Sequence, residues 1–83
     1  MKSYFSWGSS MARKPSGSLR ETLAENVKAF RKRKKLSQEG LAELCGLHRT
    51  YIGSIERQER NVTLSTLEVL SETLEVSVSE LLN

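Results

Sequence analysis

Arg49, Thr50 and Ser54 are the side chains of this 83-residue chain whose types and spacing best suit reading another molecule. A guanidinium donates two parallel hydrogen bonds, the pattern that guanine O6 and N7 accept, and a threonine offers a hydroxyl and a methyl suited to thymine. Ser54 adds a hydroxyl one helical turn beyond Thr50. With His48 and Gly53 these residues form the polar remainder of a segment from His48 to Arg57. Polar groups at the N-terminal end of a helix are the ones that meet base edges when it enters the major groove. Base-edge contacts are therefore expected from Arg49, Thr50 and Ser54. Phosphate contacts, which position a protein without specifying sequence, are expected from Tyr51, Arg57, Arg60 and Asn61. Tyr51 has a ring spaced for the core edge and a hydroxyl free to reach outward, while Asn61 equally suits a turn. Gln38, a side-chain donor at a helix N-terminus, lies at the favourable dipole end.

Two elements must hold that face in place. Gln38 to Arg57 reads as two short helices joined at Gly46, with Leu41, Ala42 and Cys45 on one face of the first and Leu47, Tyr51, Ile52 and Ile55 repeating at three- and four-residue intervals in the second. Ala42 suits a close helix approach, and Gly46 can adopt the positive φ of a sharp turn. The pattern is a helix-turn-helix. Upstream, Leu19, Leu23, Val27 and Phe30 form a stripe with Ala24 beside it, predicting a helix from Ser18 as N-cap to about Lys34, with Glu21 completing a capping box. Ser37 is spaced to cap the second helix. Thr63 is spaced to cap a fourth, with Leu64, Leu67, Leu70 and Leu74 as its stripe, and Ser77 a short fifth. The expected fold is all-α, with five helices and no strand, over residues 19–83. Residues 1–18, rich in Ser and broken by Gly8, Pro15 and Gly17, read as a flexible arm, within which Met11 is a second candidate for the first residue.

Composition narrows the chemistry further. There is no Asp, one His and one Cys, so neither a zinc cluster nor a Ser/His/Asp constellation can form, and no glycine-rich phosphate loop is present. Enzymatic function, metals and cofactors are not expected, and no small-molecule site is evident. Cys45 reads as core filler in a reducing compartment. No apolar run approaches the ~20 residues that span a bilayer. A cytoplasmic protein away from membranes is expected. The net charge of +3 hides an asymmetry: residues 31–35 are all Lys or Arg, whereas the chain after Thr63 carries Glu68, Glu72, Glu75 and Glu80 with no base. A basic cluster beside a helix-turn-helix suits phosphate contact, although it equally suits a solvated helix end.

The string SQEGLAELCGLHRTYIGSIERQERN resembles the helix-turn-helix of the Cro/phage-repressor (Xre) family, and the likeness extends from about Leu19 to Leu82. Within that family, RTYI, then IER two residues on, then RN and a Thr three residues after Arg60, is similar to the restriction-modification controller proteins. The resemblance implies a homodimer on an inverted-repeat, double-stranded DNA operator, acting as activator and repressor. The alternatives are a generic Xre-type autorepressor and an antitoxin-like protein-interaction module. It also implies a phosphate contact for Gln38, a structural ion pair between Arg31 and Glu56, and dimerisation through the C-terminal region, where Val78, Leu81 and Leu82 are the candidates. Activation would require RNA polymerase as a partner, for which the acidic pair Glu39 and Glu43 is a candidate surface. The chain departs from the family at His48, where Ser, Thr or Asp usually begins the recognition helix, and at Gly40, commonly Glu.

Overall fold

The computed structural model describes residues 18–83. The expected flexible arm lies outside the described residues. Five helices follow one another: α1 Ser18–Arg33, α2 Gln38–Cys45, α3 Arg49–Glu56, α4 Leu64–Leu74 and α5 Val78–Leu82. No strand occurs among the described residues, so the all-α expectation holds.

Side-chain caps start the helices where the sequence placed them. Ser37 accepts from the Gly40 amide, Thr63 from the Thr66 amide, and Ser77 from the Glu80 amide while the Glu80 carboxylate answers the Ser77 amide. Each cap supplies an acceptor to an amide that has no carbonyl partner inside its helix. The Ser18 cap expectation meets a boundary instead, since Ser18 is already the first helical residue and its cap position lies outside the described residues.

The core joins all five elements. Leu23 and Val27 of α1, Leu41 and Ala42 of α2, Ile52 and Ile55 of α3, Leu67, Leu70 and Leu74 of α4, and Leu81 of α5 are buried together. Cys45, half-buried, packs against this cluster as expected of a filler. Two stripe residues do not join it. Leu19 and Leu64 are 50% and 78% exposed; each sits in the first turn of its helix, where the helix overhangs the edge of the core. At the opposite end, Lys34 Nζ lies 2.8 Å from Glu75 Oε1, tying the end of α1 to the end of α4. The hydrogen bond and charge of Lys34 hold the Glu75 carboxyl below its usual value.

The crossing of α2 and α3 is built at Gly46. Its φ of 72° is left-handed, its amide bonds back to Glu43, and the Leu47 amide reaches the Ala42 carbonyl at 2.9 Å. That pair of bonds is a Schellman motif, and it turns the chain sharply into α3. Leu41 and Ala42 on one helix then close over Ile52 and Ile55 on the other.

Candidate nucleic-acid interface

α3 is locked on one side and open at its N-terminal end. Ile52 and Ile55 anchor it in the core, whereas His48, Arg49 and Thr50 are exposed. His48 caps the helix: its Nδ1 accepts from the Thr50 amide at 3.1 Å. The sequence marked it as a poor cap, yet imidazole Nδ1 does the work of the usual serine oxygen. Arg49 keeps 67% of its side chain exposed, with Nη1 3.9 Å from Glu39 Oε1 of α2. That loose pair leaves the guanidinium free to be claimed by a stronger acceptor. Arg49 and Thr50 thus stand where base readers were expected.

Ser54 does not. It is 5% exposed, and its hydroxyl donates to the Tyr51 carbonyl at 2.7 Å while accepting from Arg60 Nε at 3.1 Å. The hydroxyl is spent inside the chain, so Ser54 is withdrawn from the list of base readers. The helical period placed it correctly one turn beyond Thr50, but Arg60, returning from the loop after α3, covers it. Gly53 is also buried rather than exposed. A Cβ there would lie 3.1 Å from Arg57 Nη1 and 3.4 Å from Gln38 Oε1, so those two side chains lie across the glycine.

Two of the expected phosphate donors, Gln38 and Arg57, border this face. Gln38, Arg49, Thr50, Gly53 and Arg57, with Ser37 and Glu39, line a surface groove between the start of α2 and α3. Gln38 already has a partner, because its Nε2 donates to Glu56 Oε1 at 2.9 Å. Arg57 is exposed and pairs with Glu59 at 3.2 Å. Arg60 lies over the ring of half-buried Tyr51, 5.1 Å from its centroid. Asn61 is exposed in the loop. The pairing of Glu39 with Arg49 and of Glu59 with Arg57 is not part of the residue pattern read from sequence: Glu59 is two residues from Arg57 along the chain, but Glu39 approaches Arg49 only through the helix crossing.

Behind the groove, Arg31 and Glu56 form the expected pair. Nε and Nη2 of Arg31 donate to the two carboxylate oxygens at 2.7 and 3.1 Å, and Nη1 donates to the Leu36 carbonyl at 2.8 Å. Burial pushes the Glu56 carboxyl up, but the hydrogen bonds from Arg31 and Gln38, the Arg31 charge and a smaller contribution from Lys28 outweigh it and hold the group below its ordinary value. The pair joins α1 to α3.

At the C-terminus the expectations divide. Leu81 is fully buried in the core of its own chain, which withdraws it from a dimer interface, whereas Val78 and Leu82 remain half-buried. α5 has five residues, and Leu81 is needed to close the monomer core.

The helix-turn-helix family HTH_3 matches residues 27–81. The chain is 62% identical over 64 residues to the control protein C.SmaI of Serratia marcescens, covering 77% of this chain and 76% of that one. Among solved structures, it is similar to a hypothetical transcription factor, NHTF, from Neisseria, with a TM-score of 0.77 at 43% identity over 86% of this chain and 81% of that chain. It is likewise similar to the restriction-modification controller protein C.AhdI from Aeromonas hydrophila, with a TM-score of 0.72 at 39% identity over 75% of this chain and 94% of the other. These likenesses bear out the resemblance read from the sequence.

Proposed function

The chain belongs to the helix-turn-helix family HTH_3, and from that premise we propose that it is a sequence-specific DNA-binding transcriptional regulator of the restriction-modification controller kind. The observation that carries the reading is the state of α3. Its apolar face is sealed into the core, while its N-terminal end presents Arg49 and Thr50 to solvent. A rigidly seated helix with an exposed guanidinium at its leading end is the arrangement that reads a major groove. The likeness to the control protein of Serratia marcescens supports the controller role.

In this function Arg49 contacts guanine and Thr50 an adjacent base. Gln38, Tyr51, Arg57, Arg60 and Asn61 contact phosphates, Gln38 exchanging its bond to Glu56 for one to DNA. The protein works in the cytoplasm as a homodimer, which would set two copies of α3 about one DNA turn, ~34 Å, apart on an inverted repeat. Activation would use RNA polymerase, with Glu39 and Glu43 as the contact surface. No described helix is long and apolar enough to cross a membrane.

Selection of binding sites from a random duplex pool at near-physiological salt tests this reading, since affinity depends steeply on salt. The expected product is an inverted repeat with half-sites one turn apart. Arg49→Ala should then lose about 1–3 kcal/mol on that repeat and little on unrelated duplex. A pool without enrichment would defeat the proposal in favour of a protein-interaction module. An inverted repeat that lies upstream of genes other than restriction and modification genes would leave a generic autorepressor.

A further inference from the structure

The cap of α3 sets which ring nitrogen of a neutral His48 accepts and which donates. The Thr50 amide, at the start of the helix, needs an acceptor, and His48 Nδ1 supplies it at 3.1 Å. A ring C–H in the same place could not accept, so the chemistry dictates which edge of the imidazole faces the helix. A nitrogen that accepts carries no proton, and in the neutral ring the proton then resides on Nε2. His48 is exposed, and among the described residues its Nε2 makes no hydrogen bond. It stands beside Arg49 and Thr50, at the end of α3 that is open to solvent. The charged groups around it are Arg49 on its own helix and Glu39 and Glu43 across the neighbouring groove on α2. Glu39 is directed to Arg49.

We propose that His48 contacts the operator through Nε2–H, as a donor whose direction is set by its own capping bond. A Ser, Thr or Asp cap spends an oxygen on the helix; an imidazole spends one nitrogen and keeps a second, on the far side of the ring, for DNA. The bound group must be an acceptor, either a base-edge acceptor in the major groove (purine N7, guanine O6 or thymine O4) or a phosphate oxygen. The amino groups of adenine and cytosine, which are donors, would be refused at that point. This inference rests on the DNA-reading function proposed above.

The decisive variants separate the two nitrogens. His48→Ser keeps an accepting oxygen at the cap and removes the outward donor; His48→Ala removes both. His48→Ser should melt at or above the wild-type temperature, since serine is a favoured cap, while binding the selected operator roughly three- to tenfold more weakly, the usual worth of one hydrogen bond. His48→Ala should lose stability as well. A loss confined to the operator identifies a base acceptor, and an equal loss on unrelated duplex identifies a phosphate. Ring nitrogen chemical shifts should show the Nε2–H tautomer in the free protein, with that proton slowed in exchange on operator binding. Unchanged operator affinity in His48→Ser, or an Nδ1–H tautomer, overturns the inference. Wild type and Arg49→Ala on the same duplexes keep the two readings apart. A wild type that discriminates no duplex defeats the function itself, whereas discrimination equalled by His48→Ser defeats only the role of His48.

Discussion

Arg31, Glu56 and Gln38 form a chain of charge-assisted hydrogen bonds from the core to the groove. The ion pair is buried, with side-chain exposures of 10% and 2%, so removing one partner strands the other in a poorly solvated site. Arg31→Met alone should cost about 3–5 kcal/mol, whereas Arg31→Met with Glu56→Leu should recover most of that loss. Additive losses in denaturant titrations of the two single variants and the double would contradict this. Acid gives a second reading of the same pair. Because the folded-state value of Glu56 is lowered from 4.5, the unfolded chain takes up the proton first as pH falls. The stabilisation is complete above 4.5 and is lost as pH drops through the lower, folded-state value. The double variant should lack that part of the acid limb. Gln38 donates to the same carboxylate, so protonating Glu56 also weakens the bond that holds the glutamine bordering the groove.

At the scale of elements, helix ends set the angles at which helices meet. Four of the turns close by the same pair of amide bonds, yet Gly46 alone supplies a glycine at the left-handed position. Lys35, Gln58 and Glu75 hold φ values of 60°, 66° and 61° with side chains present. A side chain in that region costs roughly 1–2 kcal/mol, partly offset because glycine loses more freedom on folding. Gln58→Gly should therefore raise stability by about 0.5 kcal/mol. Gly46→Ala should lower it by about 1 kcal/mol, although nothing lies within 4 Å of the added Cβ. Opposite shifts in denaturation midpoint with an unchanged slope would show both; a large loss for Gln58→Gly would mean its side chain has a role that the backbone argument omits. The starts of α2, α4 and α5 were legible because a cap is a local contest between one side chain and one amide, decided within three residues. The left-handed ends were legible only at Gly46, since Lys35, Gln58 and Glu75 carry no such signal.

For the whole molecule, the question is which surfaces remain for partners once the core has closed. α5 is held from behind, with Asn26 Nδ2 of α1 donating to the carbonyls of Glu80 and Leu81 at 3.1 and 2.9 Å. Leu81 is consumed by that docking, leaving Val78 and Leu82 half-buried at the surface. If dimerisation uses this edge, Val78→Lys with Leu82→Lys should convert a dimer to a monomer in sedimentation, with helicity retained because lysine stems can lie along apolar surface. An unchanged mass would move the interface elsewhere, with the exposed Leu44 and Leu64 as the next apolar candidates. Five helices, the crossing at Gly46, the Arg31–Glu56 pair and the exposure of Arg49 and Thr50 could all be anticipated from residue order, through periodicity and capping or, for the ion pair, through family resemblance. Those features depend on neighbours a few residues apart or on a motif whose spacing carries its partners. The tertiary structure alone decided that Ser54 lies under Arg60, that Leu81 closes the core, that Leu64 stays outside it and that Gln38 is held by Glu56. Helical period tells which side of a helix a residue occupies. What covers that side depends on where other elements return in space, and one turn of helix or one loop arginine is enough to change it.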